Sequence, residues 1–503
     1  MPEHPPLGPG SPTSPIELAA STGSVRLHFG EPTALDGSLL RRLEGACSTV
    51  STEAGEVVEA SRDWWPLAMC WALEGEVAGL AGAVARPATV EEVTAVLSIC
   101  NEERVPVTVA AGRSGVCGNS VPLFGGVVLD LNDLAGIVSV DDTSLIVDVL
   151  PGTFGDHFER ELRDQHGLTV GHWPQSMALS TVGGWLACRG AGQLSTRYGK
   201  IEDMVVGLRV ALADGSLITT GGNPRSATGP DLTQVFVGSE GTLGVICGAR
   251  LLAHPAPTHE QRAAYGFASF TDGLDACRRI LRRGATPAVL RLYDVVESDR
   301  NFSTGSQRNV LLVLDEGDPV IVEASMEVVA AECAGVESLD ESLLATWLDH
   351  RNDVSALQPL LRGGLVVDTM EIAAPWAALP EIYAATIAAI TAVDGTLAAS
   401  AHQSHAYVDG ACLYFTFAGK PGQGQKDAYY RHVWDAGTRA VLARGGALSH
   451  HHGVGLNRAR FMREALGPAF GVLEALKNAL DPRGILNPGK LGLASDFGTP
   501  EWP

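Results

Sequence analysis

The sequence predicts an α+β protein of two domains, on three observations. Short apolar strands separated by Gly or Asp turns follow one another between residues 105 and 252, without the regular βαβ cadence of a doubly wound dinucleotide fold. After His254-Pro255-Ala256-Pro257 the pattern changes to helices and strands that read as an antiparallel sheet covered on one face by helices. With 503 residues, the chain has room for two or three cores of ordinary size.

The first 81 residues carry little periodicity. Pro5, Pro6, Pro9, Pro12 and Pro15 stand at the front, with Trp64, Trp65 and Trp71 behind them. This stretch is expected to dock on the body as an extension, its indoles packed as core or presented as a lid or partner surface. From residue 82 the elements become regular. Val93, Val96 and Leu97 give Thr89 to Cys100 a helical period, and Val105 to Ala110 is a short buried strand running into a glycine loop. Further strands are expected at Val127 to Asp130, Leu145 to Leu150, Val205 to Leu212, Leu217 to Thr219 and Val245 to Leu252. In the second domain the spacing predicts helices over Asp272 to Arg283, Val320 to Ala334 and Leu379 to Ile390. Strands there are expected over Val289 to Tyr293, Val310 to Leu314 and Ala411 to Ala418. Arg458 to Leu480 has helical spacing and ends in Asp481-Pro482-Arg483-Gly484-Ile485-Leu486-Asn487-Pro488-Gly489-Lys490-Leu491, where prolines and glycines preclude a continued helix.

Lys and Arg total 36 against 58 Asp and Glu, a net charge of −22 that repels duplex nucleic acid and anionic lipid as bulk partners. Any phosphate site must therefore be local. Nine scattered cysteines form no CxxC pair and no finger-like spacing, which favours a reducing compartment, with cytoplasm as the default. Met1 to Gly30 holds no basic region followed by an apolar run. The least polar long stretch, Ala373 to Val393, is interrupted by Pro375, Pro380 and Glu381, so no membrane span is expected.

Small residues concentrate in Ala111 to Gly118, Pro174 to Gly192 and Gly238 to Gly244. Successive amides in such turns form anion-binding concavities, and glycine lets a pyrophosphate approach the backbone. There is no GxxxxGK[ST] and no convincing GxGxxG between strand and helix, which leaves nucleoside triphosphate and NAD sites without support.

His450-His451-His452 is the densest chemical signal. On a strand, neighbouring rings point to opposite faces, so the triplet alone does not make a metal sphere; on an exposed loop the rings are solvated or simply hydrogen-bonded, and facing a pocket they offer acid/base or anion-orienting chemistry near neutral pH. No metal is expected. Tyr414 alternates with Phe415, so one of them faces a pocket if the other is buried. With a reference pKa of about 10, its phenol moves a carbon-bound proton only if that pKa falls or a neighbouring base accepts the proton. Arg291 interrupts an apolar strand and is a candidate for anion recognition, to which a surface position is the alternative.

Five segments carry a resemblance. Val170-Gly171-His172-Trp173-Pro174-Gln175-Ser176, Ser180-Thr181-Val182-Gly183-Gly184-Trp185, Tyr198-Gly199-Lys200-Ile201-Glu202-Asp203, Thr228-Gly229-Pro230-Asp231-Leu232 and Gly238-Ser239-Glu240-Gly241-Thr242-Leu243-Gly244-Val245-Ile246 resemble the FAD-binding domain of the vanillyl-alcohol oxidase superfamily. The resemblance implies a two-subdomain FAD domain over 82–256, a substrate or cap domain over 257–445, and a C-terminal return and tail over 446–503, behind the extension 1–81. It also implies the cofactor contacts. Ala111, Gly112, Arg113, Ser114, Gly115, Val116 and Cys117 would surround the pyrophosphate. Pro174, Gln175, Ser176, Met177, Ala178, Leu179 and Ser180, with Arg189, Gly190 and Ala191, would wrap the flavin and its linker. Glu240, Gly241, Thr242, Leu243, Gly244, Val245 and Ile246 would approach the adenosine-ribityl portion. Val116 stands where histidyl-flavin relatives usually carry the linking histidine, so a non-covalent FAD is implied, with His172 and Cys117 as the other attachment candidates.

Asp409-Gly410-Ala411-Cys412-Leu413-Tyr414 together with Ser449-His450-His451-His452-Gly453 is similar to the alkyl-dihydroxyacetonephosphate synthase family. That likeness implies a redox-neutral flavin reaction in which Tyr414 takes a proton from C1 of acyl-dihydroxyacetone phosphate and His450, His451 and His452 organise proton transfer. Substrate carbon is then attached at flavin N5, the fatty acid leaves and a fatty alcohol adds. Arg351 and Arg362 lie in a stretch resembling one where family arginines meet an anionic substrate. A homodimer is the family expectation, and a peripheral membrane contact through the Trp-bearing extension is left open. The competing resemblance is to flavin-dependent 2-hydroxy-acid dehydrogenases, whose tail looks like Asp481 to Leu491. Their HxGDGNxH-type metal-associated segment corresponds to His405-Ala406-Tyr407-Val408-Asp409-Gly410-Ala411-Cys412, which lacks the second histidine. A flavin-binding protein without turnover is the third alternative.

Overall fold

The computed structural model describes residues 7–20, 24–30, 35–303 and 308–499. Two sheets build the cofactor side. One has the order Thr49–Ser51, Ala83–Arg86, Val127–Asp130, Val107–Ala110, with its last three strands parallel and Thr49–Ser51 antiparallel at the edge. Its strands are apolar because both faces are covered: Val107, Val127, Val128 and Leu129 are 0% exposed. The stretch 1–81, expected to be an extension, therefore supplies an edge strand to this sheet. The C-terminal turn adds to the other edge, where Val107 N donates to Ile485 O and Asn487 N to Val107 O, both at 2.8 Å. The second sheet is antiparallel, in the order Leu217–Gly221, Val205–Ala211, Val245–Leu252, Ile146–Val149, Ile137–Asp141.

The second domain is a seven-stranded antiparallel sheet ordered Glu337–Leu339, His259–Phe267, Asn309–Gly317, Val289–Tyr293, Thr396–Ala406, Gly410–Gly419, Val366–Pro375. Alternation sorts its two faces. Leu290, Leu292, Leu413, Phe415 and Phe417 turn to a helical layer that includes Phe270–Arg282, Leu379–Thr391 and Lys426–Leu442, where they share one core with Ile382, Tyr430 and Trp434. Arg291, Tyr293, Tyr414 and Thr416 turn the other way, toward the cofactor side. Trp65 and Trp71 pack in that same core, and their indole N–H groups donate to Tyr430 Oη and Asp427 Oδ1, each at 2.9 Å. Two of the three front indoles are thus core, while Trp64 lines the cleft described below.

The single helix expected over Arg458 to Leu480 is broken. A 3-10 turn at Ala459–Phe461 leads into Met462–Leu466, and the chain reopens at Gly467, with φ of 52°, and Pro468 before Phe470–Leu480. Proline lacks the amide that would continue the ladder, and glycine accepts the positive φ that an L side chain disfavours. Ala373 to Val393 divides between a strand end and the helix Leu379–Thr391, and no described helix is long and apolar enough to cross a membrane.

Candidate functional site

A cleft of about 670 Å³ runs between the glycine loops of the cofactor side and the polar face of the seven-stranded sheet. Register puts Tyr293, His402, Tyr414 and Glu371 in one row across four adjacent strands. Thr396–Ala406 contributes more side chains than plain alternation permits. A register shift between Gln403 and His405 changes the facing of the strand, so His402, Ser404 and His405 all line the cleft.

The histidine loop is fixed from below by a buried ion pair. Glu371 and Arg458 are both 0% exposed; Arg458 Nη1 donates to Glu371 Oε1 at 2.8 Å, and Nη2 donates to Oε2. The same carboxylate accepts from Ser449 Oγ at 2.6 Å and the His452 amide at 2.9 Å, and His452 Nδ1 lies 3.0 Å away. Against the penalty of burial, Arg458 and His452 hold Glu371 well below the usual carboxylate range. A buried guanidinium and a carboxylate thereby orient three successive histidines.

The rings separate. His451 and His452 line the cleft, whereas His450 does not. His450 Nε2 meets Tyr407 Oη at 3.0 Å and its Nδ1 meets His451 Nδ1 at 2.9 Å, while its carbonyl accepts from Lys200 Nζ at 2.7 Å. His405 Nδ1 lies 2.7 Å from Ser195 Oγ. Burial, aided by Lys200 for His450 and by His452 for His451, pushes both imidazoles well below their ordinary pKa, so both rings are held neutral and are weak bases. Ligand atoms of His405, His450 and His451 fall within 4.8 Å of one another. The metal-capable set therefore draws on a second strand, a juxtaposition that spacing within the triplet does not reveal.

Tyr414 lies against this cluster, its ring centroid 4.8 Å from His402, 6.0 Å from His451 and 5.7 Å from His452. Burial raises its phenol well above the ordinary value, partly offset by a hydrogen bond with Thr369. The hydroxyl is thus protonated at neutral pH.

Of the candidate arginines, two lie in the cleft. Arg291 Nε donates to Tyr293 Oη at 2.7 Å. Arg351 sits between two indoles, 4.9 Å from the Trp173 ring and 5.7 Å from Trp347, and burial lowers its pKa to about 10. Arg362 is a correction. It lies outside the cleft, at the surface, where it ends helix Leu357–Arg362 and forks onto Glu17 at 2.7 and 2.6 Å, which takes its charge away from the site.

The glycine loops divide by facing. Ala111 to Val116, Pro174 to Ser176, Leu179, Ser180, Gly190, Ala191, Glu240, Gly241, Gly244 and Ile246 line the cleft. Cys117, Met177, Ala178, Arg189, Thr242, Leu243 and Val245 do not. Met177, Leu243 and Val245 are core residues, Arg189 takes a left-handed φ of 59° to end a helix and pairs with Glu202, and Thr242 Oγ1 donates to Ser239 O at 2.7 Å. The Cys117 thiol faces Gly453 O at 3.9 Å, and burial raises its pKa.

An anionic, flat, polar-edged group fits these walls. No amide of Gly112, Arg113, Ser114 or Gly115 donates to a backbone carbonyl among the described residues, which leaves four successive donors available in a loop that lines the cleft and turns through a positive φ of 53° at Arg113. Gly112 is obligatory, since a Cβ there would lie 2.2 Å from Leu179 O. His172 lines the same wall with both ring nitrogens buried and without a partner among the described residues, and burial lowers its pKa to about 3. Glu240 accepts from the amides of Val454 at 2.5 Å and Gly455 at 2.8 Å, tying the cofactor loop to the histidine loop.

Comparison with known proteins agrees with this geometry. The family described as FAD binding domain matches residues 81–221, and that described as FAD linked oxidases, C-terminal domain, matches residues 256–491. An uncharacterized FAD-linked oxidoreductase, YgcU, of Escherichia coli (strain K12) is 32% identical over 432 residues, spanning 81% of this chain and 88% of its own. The chain belongs to the FAD-binding vanillyl-alcohol oxidase superfamily. Its cofactor is FAD, and Val116 in the cleft wall offers no nucleophile for a covalent link. Alkyldihydroxyacetonephosphate synthase of Dictyostelium discoideum is 29% identical over 456 residues, with 83% of this chain and 74% of that protein covered. A solved alkyldihydroxyacetonephosphate synthase shares the superfamily fold with a TM-score of 0.78 at 22% identity, covering 95% of this chain and 89% of that one.

Sequence reasoning missed His402, Tyr407, Glu371, Arg458 and Lys200. The signal for His402 and His405 was a polar run, Ser400 to His405, with no apolar face to announce a strand.

Proposed function

We propose that this FAD-dependent enzyme performs alkyl-dihydroxyacetonephosphate synthase-like chemistry, exchanging the acyl group of acyl-dihydroxyacetone phosphate for a fatty alcohol. The observation that carries the proposal is Tyr414 in one row with His402 and Glu371, beside His451 and His452, on the cleft wall opposite the glycine loops. In the exchange the C1–O bond to the fatty acid breaks, a C1–O bond to the alcohol forms, and no net electrons are taken up. FAD supplies an electron-poor ring system against which the substrate carbon reacts. The residues supply the rest. Arg291 and Arg351 take the phosphate in a chain whose overall charge opposes anions. Tyr414 exchanges its own proton for the carbon proton by way of His451, whose basicity an anionic substrate in the cleft raises, and His450, through Tyr407 and His405, sets the direction of the neighbouring rings.

Labelled fatty alcohol should enter an ether product with release of fatty acid and without an added electron acceptor. Absence of label from product would reject the proposal.

A second possibility, oxidation of a 2-hydroxy acid, is favoured by one observation: the metal-capable trio His405, His450 and His451. Under it, a 2-hydroxy acid reduces the flavin and a chelator abolishes that reduction; under the first, chelation leaves alcohol incorporation unchanged.

A further inference from the structure

His402 and Glu297 form a unit to which the proposed chemistry assigns no task. Glu297, on helix Val295–Phe302, is 1% exposed. Its carboxylate accepts from His402 Nδ1 at 2.6 Å, Thr416 Oγ1 at 2.9 Å and Ser400 Oγ at 3.1 Å, and Arg300 stands 3.0 Å away. An ionised carboxylate only accepts, so His402 Nδ1 carries a proton. The other nitrogen, Nε2, meets Arg291 Nη2 at 2.6 Å, and a guanidinium only donates, so Nε2 carries a lone pair. One tautomer of a neutral imidazole satisfies both neighbours, and burial favours that neutral form.

Arg291 is left in an unusual state. Its two hydrogen-bond partners, Tyr293 Oη and His402 Nε2, and the Trp347 ring 5.8 Å away are all uncharged, and no carboxylate lies within 4.0 Å of it among the described residues. A direct Glu297–Arg291 pair would hold the guanidinium equally well but cancel its charge. An interposed imidazole transmits the geometry and leaves the charge for a ligand. The same ring stacks on Tyr414, with centroids 4.8 Å apart and planes at 22°.

Resting on the reading that the substrate is anionic, we propose that His402, its tautomer locked by Glu297, is a positioning residue that holds an uncancelled Arg291 beside Tyr414. The substrate's anionic group and its reacting carbon are thereby set at a fixed separation.

Two measurements test this on the holoenzyme. In protein labelled with 15N-histidine, the His402 resonances, identified by their loss in His402→Phe, should show a protonated Nδ1 and a lone-pair Nε2. An Nε2-protonated ring or an imidazolium at neutral pH would overturn the proposal. Inorganic phosphate, titrated against the flavin absorbance, should bind about 10-fold more weakly to Glu297→Gln than to the native enzyme, because the amide can donate to Nδ1, invert the tautomer and set two donors against each other at Arg291. FAD content should not change. Equal phosphate binding, or none to the native protein, would count against it. With a turnover substrate the loss should appear as a raised KM at nearly constant kcat, and a fall in kcat alone would contradict the positioning role. If acyl-dihydroxyacetone phosphate is not turned over at all, the proposed reaction fails, while the tautomer and the phosphate titration still decide the role of His402.

Discussion

Three side chains carry the sharpest expectations at the residue scale. Tyr414→Phe retains the ring that stacks on His402 and removes only the hydroxyl. Bound FAD should therefore persist while turnover falls by about 10²-fold or more, as judged by flavin absorbance and product formation on the same sample. Unchanged turnover would remove Tyr414 from the chemistry. Arg458→Met strips the buried Glu371 carboxylate of its guanidinium and should cost about 3–5 kcal/mol in denaturant unfolding. A loss near zero would mean that the histidine loop is held by something else. His172 makes a pH prediction. Its folded pKa is lowered to about 3 from an ordinary 6.5, so the stability it contributes as a neutral ring is complete above pH 6.5 and is lost as pH falls toward 3. The stability difference between the native protein and His172→Phe should be flat above pH 7 and change by about 1.4 kcal/mol per pH unit between 6 and 4. A difference constant across that window would show His172 to be ordinary in its titration.

At the scale of elements, the segment from Gly8 to Glu17 straps the two domains together. Gly8 N donates to Asp156 Oδ2 at 2.6 Å on the cofactor side; Gln358 Nε2 donates to Pro15 O at 2.7 Å, and Arg362 holds Glu17, on the cap side. Arg362→Ala should leave KM within about two-fold of native, since an exposed pair is screened by solvent, whereas Arg351→Ala should raise KM for an anionic substrate about 10-fold. The reverse order would restore Arg362 to the substrate site. Elements with an apolar face were legible from sequence: Val289–Tyr293 falls where its pattern puts it, and Gly410–Gly419 differs by one residue at each end. Thr396–Ala406 was not. Its buried side chains include Ser400, His402, Gln403, Ser404 and His405, so the polarity that the cleft requires erased the hydrophobic period that would reveal a strand. The candidate site divided in the same way. Residue type singled out the three histidines and the family resemblance added Tyr414, but their partners Glu371, His402 and Arg458 come from register and long-range packing, which no local pattern encodes.

At the scale of the molecule, an acidic chain builds a cleft in which Arg113, Arg291, Arg300 and Arg351 match Glu240, Glu297, Asp353 and Asp368, and ties its rim across the two domains. Gln175 Nε2 donates to Asp353 O, Asn352 Nδ2 to Gln175 O and Gln193 Nε2 to Arg351 O, each at 2.9 Å, joining the flavin-side loops to the cap beside the guanidinium of Arg351. The acidic excess of the chain is thereby offset inside the cleft, where Arg291 and Arg351 pair with no carboxylate among the described residues. The central claim is that this site cleaves a carbon–hydrogen bond by proton transfer and returns the flavin oxidised. Anaerobic mixing of the holoenzyme with acyl-dihydroxyacetone phosphate and a fatty alcohol, with flavin absorbance and products followed together, tests it most directly. Multiple turnovers with the flavin oxidised at the end are predicted. No ether product, together with stoichiometric flavin reduction by a 2-hydroxy acid, would contradict it.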